Sequence, residues 1–140
     1  MSSKISVNFQ IYLEAWSPLI LLMFYSELAQ PKLQLVVENS YTTTLSGTLE
    51  EYGDVIMYFR QVNAYVENSE VRFKNFVSRT NIQLINFINI GSVIVENTVI
   101  QNIDDLDFKN TRDCYFIEAD YSKQPVTCNK EDLFYKIRSL

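Results

Sequence analysis

Apolar and polar positions alternate strictly over residues 4–13, with Ile5, Val7, Phe9, Ile11 and Leu13 on one side and Ser6, Asn8, Gln10 and Tyr12 on the other. A period of two sends alternate side chains to opposite faces, so this segment predicts a strand with one buried face. The period then changes. Ser17 is a good N-cap, Pro18 suits the first helical position and Pro31 forbids continuation, which predicts a helix over 18–30. Its first half is apolar on every side, so it should pack on a sheet and be covered as well. Residues 33–37, LQLVV, supply a second strand. Strand, helix and strand in this order predict a parallel βαβ unit with a right-handed crossover.

A β-rich stretch, SYTTTLSG, precedes Thr48-Leu49-Glu50-Glu51, whose Thr and second Glu have the spacing of a capping box. Leu49, Tyr52, Val55, Ile56, Phe59 and Val62 follow at spacings of three and four, predicting a helix over 48–66 despite Gly53. A second apolar stripe, Phe73, Phe76, Val77, Thr80, Leu84, Ile85 and Ile88, predicts a helix over 68–91, capped by Ser69 and ended by Gly91. Beyond it, SVIVENTVIQNI and CYFIEADYS are rich in β-branched and aromatic residues. The last ten residues read as helix, with Asn129 as cap. The predicted fold class is α/β, with α+β as the alternative. A β-α-β-β-α half over 1–66 is followed by a helix and a β-rich segment over 67–140, in one compact domain without a detected internal repeat.

At 140 residues and 47% hydrophobic content, the chain can bury a real core. No apolar run is long enough to cross a bilayer, and the N-terminus lacks the pattern of a secretory signal, so a cytoplasmic location without membrane contact is expected. A net charge of −5 argues against direct nucleic-acid binding. The absence of histidine removes the commonest general base and metal ligand. The two cysteines, Cys114 and Cys128, are expected to be free, small and buried. Asp104, Asp105 and Asp107 have neither the glycine turn nor the distal glutamate of a calcium loop, and they read as a solvated acidic turn without metal.

The segments WSPLILL and LEEYGDVIMYF, at their mutual spacing, resemble the N-terminal, thioredoxin-like half of the glutathione transferase superfamily, with Leu49, Glu51, Val55, Tyr58 and Phe59 in matching places. The resemblance covers about residues 4–66. It implies a ligand-facing turn in which Ser17 and Glu51 would contact glutathione, and a close approach of backbone to ligand at Gly53. Two positions depart from the family pattern: Tyr52 stands where a serine would hold the γ-glutamyl end, and Thr43 where a cis-proline would align the peptide. The β-rich tail also differs from the family's all-helical second domain. The resemblance is therefore to the non-catalytic transferase-like domains of aminoacyl-tRNA synthetases and translation cofactors.

The functional expectation is a non-catalytic protein-interaction or assembly module, associated with the translation machinery, with a protein partner and no cofactor. The enzyme alternative is a small glutathione-dependent transferase or thiol-handling protein with Ser17 or Tyr12 near the thiol. A second alternative is a parasite- or virus-type factor that blocks a host or ribosomal site. The aromatic content of 14% suits interface anchors. On the expected helix over 48–66, Asp54, Met57, Tyr58 and Gln61 lie opposite the stripe, and Met57 with Tyr58 forms the candidate anchor pair.

Overall fold

The computed structural model describes residues 7–13, 32–38, 42–49, 54–62 and 69–135. Among them lie nine strands, β1 (Val7–Leu13), β2 (Lys32–Glu38), β3 (Thr42–Leu49), β4 (Asp54–Arg60), β5 (Glu70–Ile88), β6 (Ser92–Glu96), β7 (Val99–Lys109), β8 (Asp113–Ile117) and β9 (Lys123–Val126), and one short helix, α1 (Lys130–Leu133). All nine strands belong to one sheet.

The long strand β5 explains the architecture. Its first half pairs in parallel with β3 and β6, and its second half in parallel with β4 and β7. Three passes of chain, β3–β4, then β5, then β6–β7, are thus laid side by side in the same direction. Ser92 nevertheless lies against Glu70, the first residue of β5, although it follows Ile88, the last, by only four residues. Four residues reach about 14 Å, whereas a straight strand of this length would extend about 60 Å. The strand must therefore bend round until its ends meet. The result is a parallel β-solenoid, in which each pass forms one rung and stacks on the rung before.

The rung length is nearly constant. Lys32 faces Asp54 and Glu70 faces Ser92, each 22 residues on, and Ser92 faces Asp113, 21 residues on. The pass from Thr42 to Glu70 takes 28 residues, the excess falling in the connection between β4 and β5.

Corners are marked by residues with left-handed backbone. Asn75 and Asn97, with φ of 55° and 46°, are 22 residues apart, and the Asn97 side-chain amide donates to Asn75 Oδ1 at 2.7 Å. Asn89 and Asn110, with φ of 56° and 54°, repeat the device 21 residues apart, with Asn110 Nδ2 donating to Asn89 Oδ1 at 2.8 Å. Asparagine tolerates this conformation better than other side-chain-bearing residues. Its amide also supplies a donor and an acceptor along the stacking direction.

Inside the coil, equivalent residues of successive rungs form columns. Thr43, Val71, Val93 and Cys114 make one; Leu45, Phe73, Val95 and Phe116 the next. On the other wall, Leu35, Met57, Ile85 and Leu106 stack, as do Val37, Phe59, Phe87 and Phe108. The rings of Phe59, Phe87 and Phe108 are offset-stacked at 5.2 and 5.0 Å with interplanar angles of 14° and 12°. The strand spacing of about 4.8 Å holds them at that distance.

The last rung is closed by the C-terminal segment. β9 pairs antiparallel with β8, and α1 is capped by Asn129, whose Oδ1 accepts from Asp132 N at 2.8 Å. Leu133 and Phe134 are buried, the latter edge-on to Phe73 at 5.4 Å. A disulfide joins Cys114 to Cys128, tying β8 to the residue pair before α1. Solenoids need such caps because a terminal rung would otherwise expose its core face.

The structure departs from several sequence expectations. The α/β, thioredoxin-like arrangement is not formed, since strands dominate and the described helix is four residues long. The helices expected over 48–66 and 68–91 are β4 and β5. Their apolar spacing arises at corners: inward residues of β5 alternate, but the corners insert one extra residue between Phe73 and Phe76 and between Ile82 and Ile85, and steps of three imitate a helical stripe. β1 and β2 do not pair with one another; β1 runs antiparallel to β3 and β2 parallel to β4. The expected helix over 18–30 lies outside the described residues. The cysteines are not free but bonded to each other. The strands read at 33–37, in SYTTTLSG and in the β-rich tail are present, but of the helix expected over the last ten residues behind Asn129 only one turn forms, Lys130–Leu133, and residues 136–140 lie outside the described residues.

Candidate functional site, the outer edge of β7

Each rung strand presents two hydrogen-bonding edges. β7 spends one on β5, along Val99–Lys109, and among the described residues no strand pairs with the other. The C-terminal segment covers only a point of that second edge. Tyr135 Oη accepts from Ile103 N at 2.5 Å, and Lys130 Nζ donates to Ile103 O at 3.2 Å. Beyond Ile103, through residues 104–109, no strand among the described residues pairs with the edge.

Its side chains follow the strand alternation. Leu106 and Phe108 point into the coil as the last members of their columns among the described residues and are half-buried, with no further described rung on them. Asp105 and Asp107 face outward, continuing the outer positions of Leu84 and Asn86, and Asp104 is exposed beside them. The acidic turn expected at these residues is therefore a strand. An edge with open backbone groups, two apolar steps and outward acids is chemically complementary to an extended segment with apolar residues facing inward and basic ones facing outward. The same acids discourage pairing of like edges.

The residues singled out from the sequence fall elsewhere. Ser17 and Glu51, the expected glutathione contacts, lie outside the described residues. Asp54 opens β4 and is half-buried. Met57 and Tyr58 are consecutive strand residues and face opposite ways, so they form no surface pair: Met57 is fully buried in the core, and Tyr58 faces outward, half-buried. Gln61 is buried as well, its backbone N donating to Ile88 O and its carbonyl accepting from Asn89 Nδ2, both at 3.0 Å. The aromatic surplus serves the interior, where Phe59, Phe73, Phe76, Phe87 and Phe116 are fully buried. The signal that would have found β7 was the recurrence of Phe and Asn at 87 and 89, then at 108 and 110.

Among the described residues, no group of three or more acidic or cysteine side chains is arranged to hold a metal ion, and no helix is long and apolar enough to cross a membrane. The chain matches no protein-family model, no curated protein and no solved structure.

Proposed function

We propose that the chain is a protein-binding module that takes an extended segment of its partner as an additional rung on the outer edge of β7. The observation that carries this reading is the edge at 104–109, unpaired among the described residues, with half-buried Leu106 and Phe108 inward and Asp105 and Asp107 outward. Main-chain hydrogen bonds would supply affinity, and the alternation of apolar and acidic positions would select a partner segment that alternates apolar and basic residues. The Cys114–Cys128 bond favours an oxidising setting over the cytoplasmic one expected from the N-terminal pattern.

A six-residue peptide alternating lysine and leucine, titrated into the labelled protein, tests the reading. Amide shifts should concentrate at residues 104–109, binding should weaken as salt is raised, and Asp105→Lys with Asp107→Lys should reduce affinity at least tenfold without lowering the melting temperature. Shifts scattered over the surface, or affinity unchanged in the double variant, would contradict it.

A further inference from the structure

The segment that closes the solenoid is held by three kinds of contact that converge within eight residues. Leu133 and Phe134 fill the core end, Tyr135 and Lys130 bind the backbone of Ile103, and Cys128 is bonded to Cys114 of β8. The two halves of the disulfide differ in access. Cys114 is an inward member of the Thr43, Val71, Val93 column and is 3% exposed, whereas Cys128 is only partly buried, at the surface between β9 and α1. The rest of the fold does not pass through this bond, because the rungs from β2 to β8 are joined to one another by their own ladders.

We propose that the Cys114–Cys128 disulfide is a thiol-sensitive clasp on the C-terminal cap, whose opening releases residues 128–135 while leaving the rungs intact. The reaction is thiol–disulfide exchange with a dithiol reductant. One thiolate of the reductant attacks the Sγ of Cys128, the accessible sulfur, forming a mixed disulfide and expelling the Cys114 thiolate, which takes up a proton. The reductant's second thiol, as its thiolate, then attacks the mixed disulfide and closes the reductant's own ring, and the Cys128 thiolate leaves and is protonated. Two protein thiols and one oxidised reductant result.

Release has a defined consequence. Without the covalent tie, the four-residue helix α1 is held by two apolar side chains and a few hydrogen bonds, and so short a helix has little stability of its own. Its departure frees the N–H and C=O of Ile103 and lengthens the open edge of β7 toward Val99. The clasp is a property of the cap alone and does not depend on what the edge binds.

Hydrogen exchange on the full-length protein, oxidised and then reduced with dithiothreitol, reads the clasp directly. The amides of Asp132, Leu133, Phe134 and Ile103 should lose protection more than tenfold on reduction, while those of Phe73, Ile85 and Phe87 keep theirs. Cys128→Ser should show the reduced pattern without any reductant. Uniform loss across the rungs would show that the bond staples the whole fold, and unchanged protection of 132–134 would show that packing alone holds the cap; either result overturns the proposal.

Discussion

Asn110 sits one rung above Asn89, with the amide of the first donating to the side-chain oxygen of the second at 2.8 Å and both backbones left-handed. Asn89 in turn donates to the carbonyl of Gln61 at 3.0 Å, so the corner is a continuous chain of bonds over three rungs. Removing its middle member should cost more than removing its end. Asn89→Ala is expected to destabilise by about 2 kcal/mol, combining two lost hydrogen bonds with a side chain ill suited to positive φ. Asn89→Gly, which keeps the backbone at ease, should cost about half as much. Chemical denaturation of the two variants separates the contributions.

The phenylalanine column makes a similar prediction in the core. Phe87 is stacked on both sides, by Phe59 and Phe108, and is fully buried, whereas Phe108 has one ring neighbour among the described residues and is half-buried. Phe87→Ala should cost about 4 kcal/mol, in the usual range for a buried aromatic. Phe108→Ala should cost about 2 kcal/mol, in proportion to its lesser burial. Equal losses from the two would show that another element covers Phe108.

Thr43 interrupts an apolar column. It is fully buried, and its hydroxyl has no hydrogen-bond partner among the described residues. An unpaired buried hydroxyl is unfavourable, and valine has nearly the same shape. Thr43→Val should therefore raise stability by about 1 kcal/mol, measured as a shift in the denaturation midpoint. A loss of stability would point to a partner for the hydroxyl.

At the hairpin between β8 and β9, Ser122 donates to Asp120 Oδ1 through both its hydroxyl, at 2.6 Å, and its backbone N–H, at 3.0 Å. These bonds favour the ionised carboxylate and hold its pKa below the ordinary aspartate value, the side-chain bond most strongly. Since the folded value is the lower one, the contribution is complete above the ordinary aspartate range and is lost as pH falls through the folded pKa. Carboxyl chemical shifts followed over an acid titration should place Asp120 below the ordinary aspartate value. Ser122→Ala should return it toward that value.

Much of the tail was legible because β6 and β8 are short and bounded by turn residues, and because Asn129 stands three residues before Asp132, as an N-cap should; the acidic second half of β7 was not. The middle of the chain was not, for two physical reasons. In β4 the run VIMYF is apolar at every position, so a period of two cannot be seen, and inward Met57 looks no different from outward Tyr58. In β5 the corners shift the alternation by one residue each, producing steps of three that mimic a helix. The repeat itself was hard to see because several equivalent positions share apolar or small character rather than one residue: Thr43, Val71 and Cys114 are equivalent, as are Leu45, Phe73 and Val95. That the outer edge of β7 is unpaired among the described residues is a property of the stacking order, which no local pattern encodes.

The central claim is that chain segments one rung apart lie side by side in parallel, and nuclear Overhauser effects between backbone protons measure this most directly. Contacts are predicted between the strand around Val71 and that around Val93, and between the latter and Cys114, with the one-way progression of a parallel ladder. Side-chain contacts are predicted from the ring of Phe87 to those of Phe59 and Phe108. Medium-range helical contacts through residues 70–88, without the cross-rung set, would contradict the account.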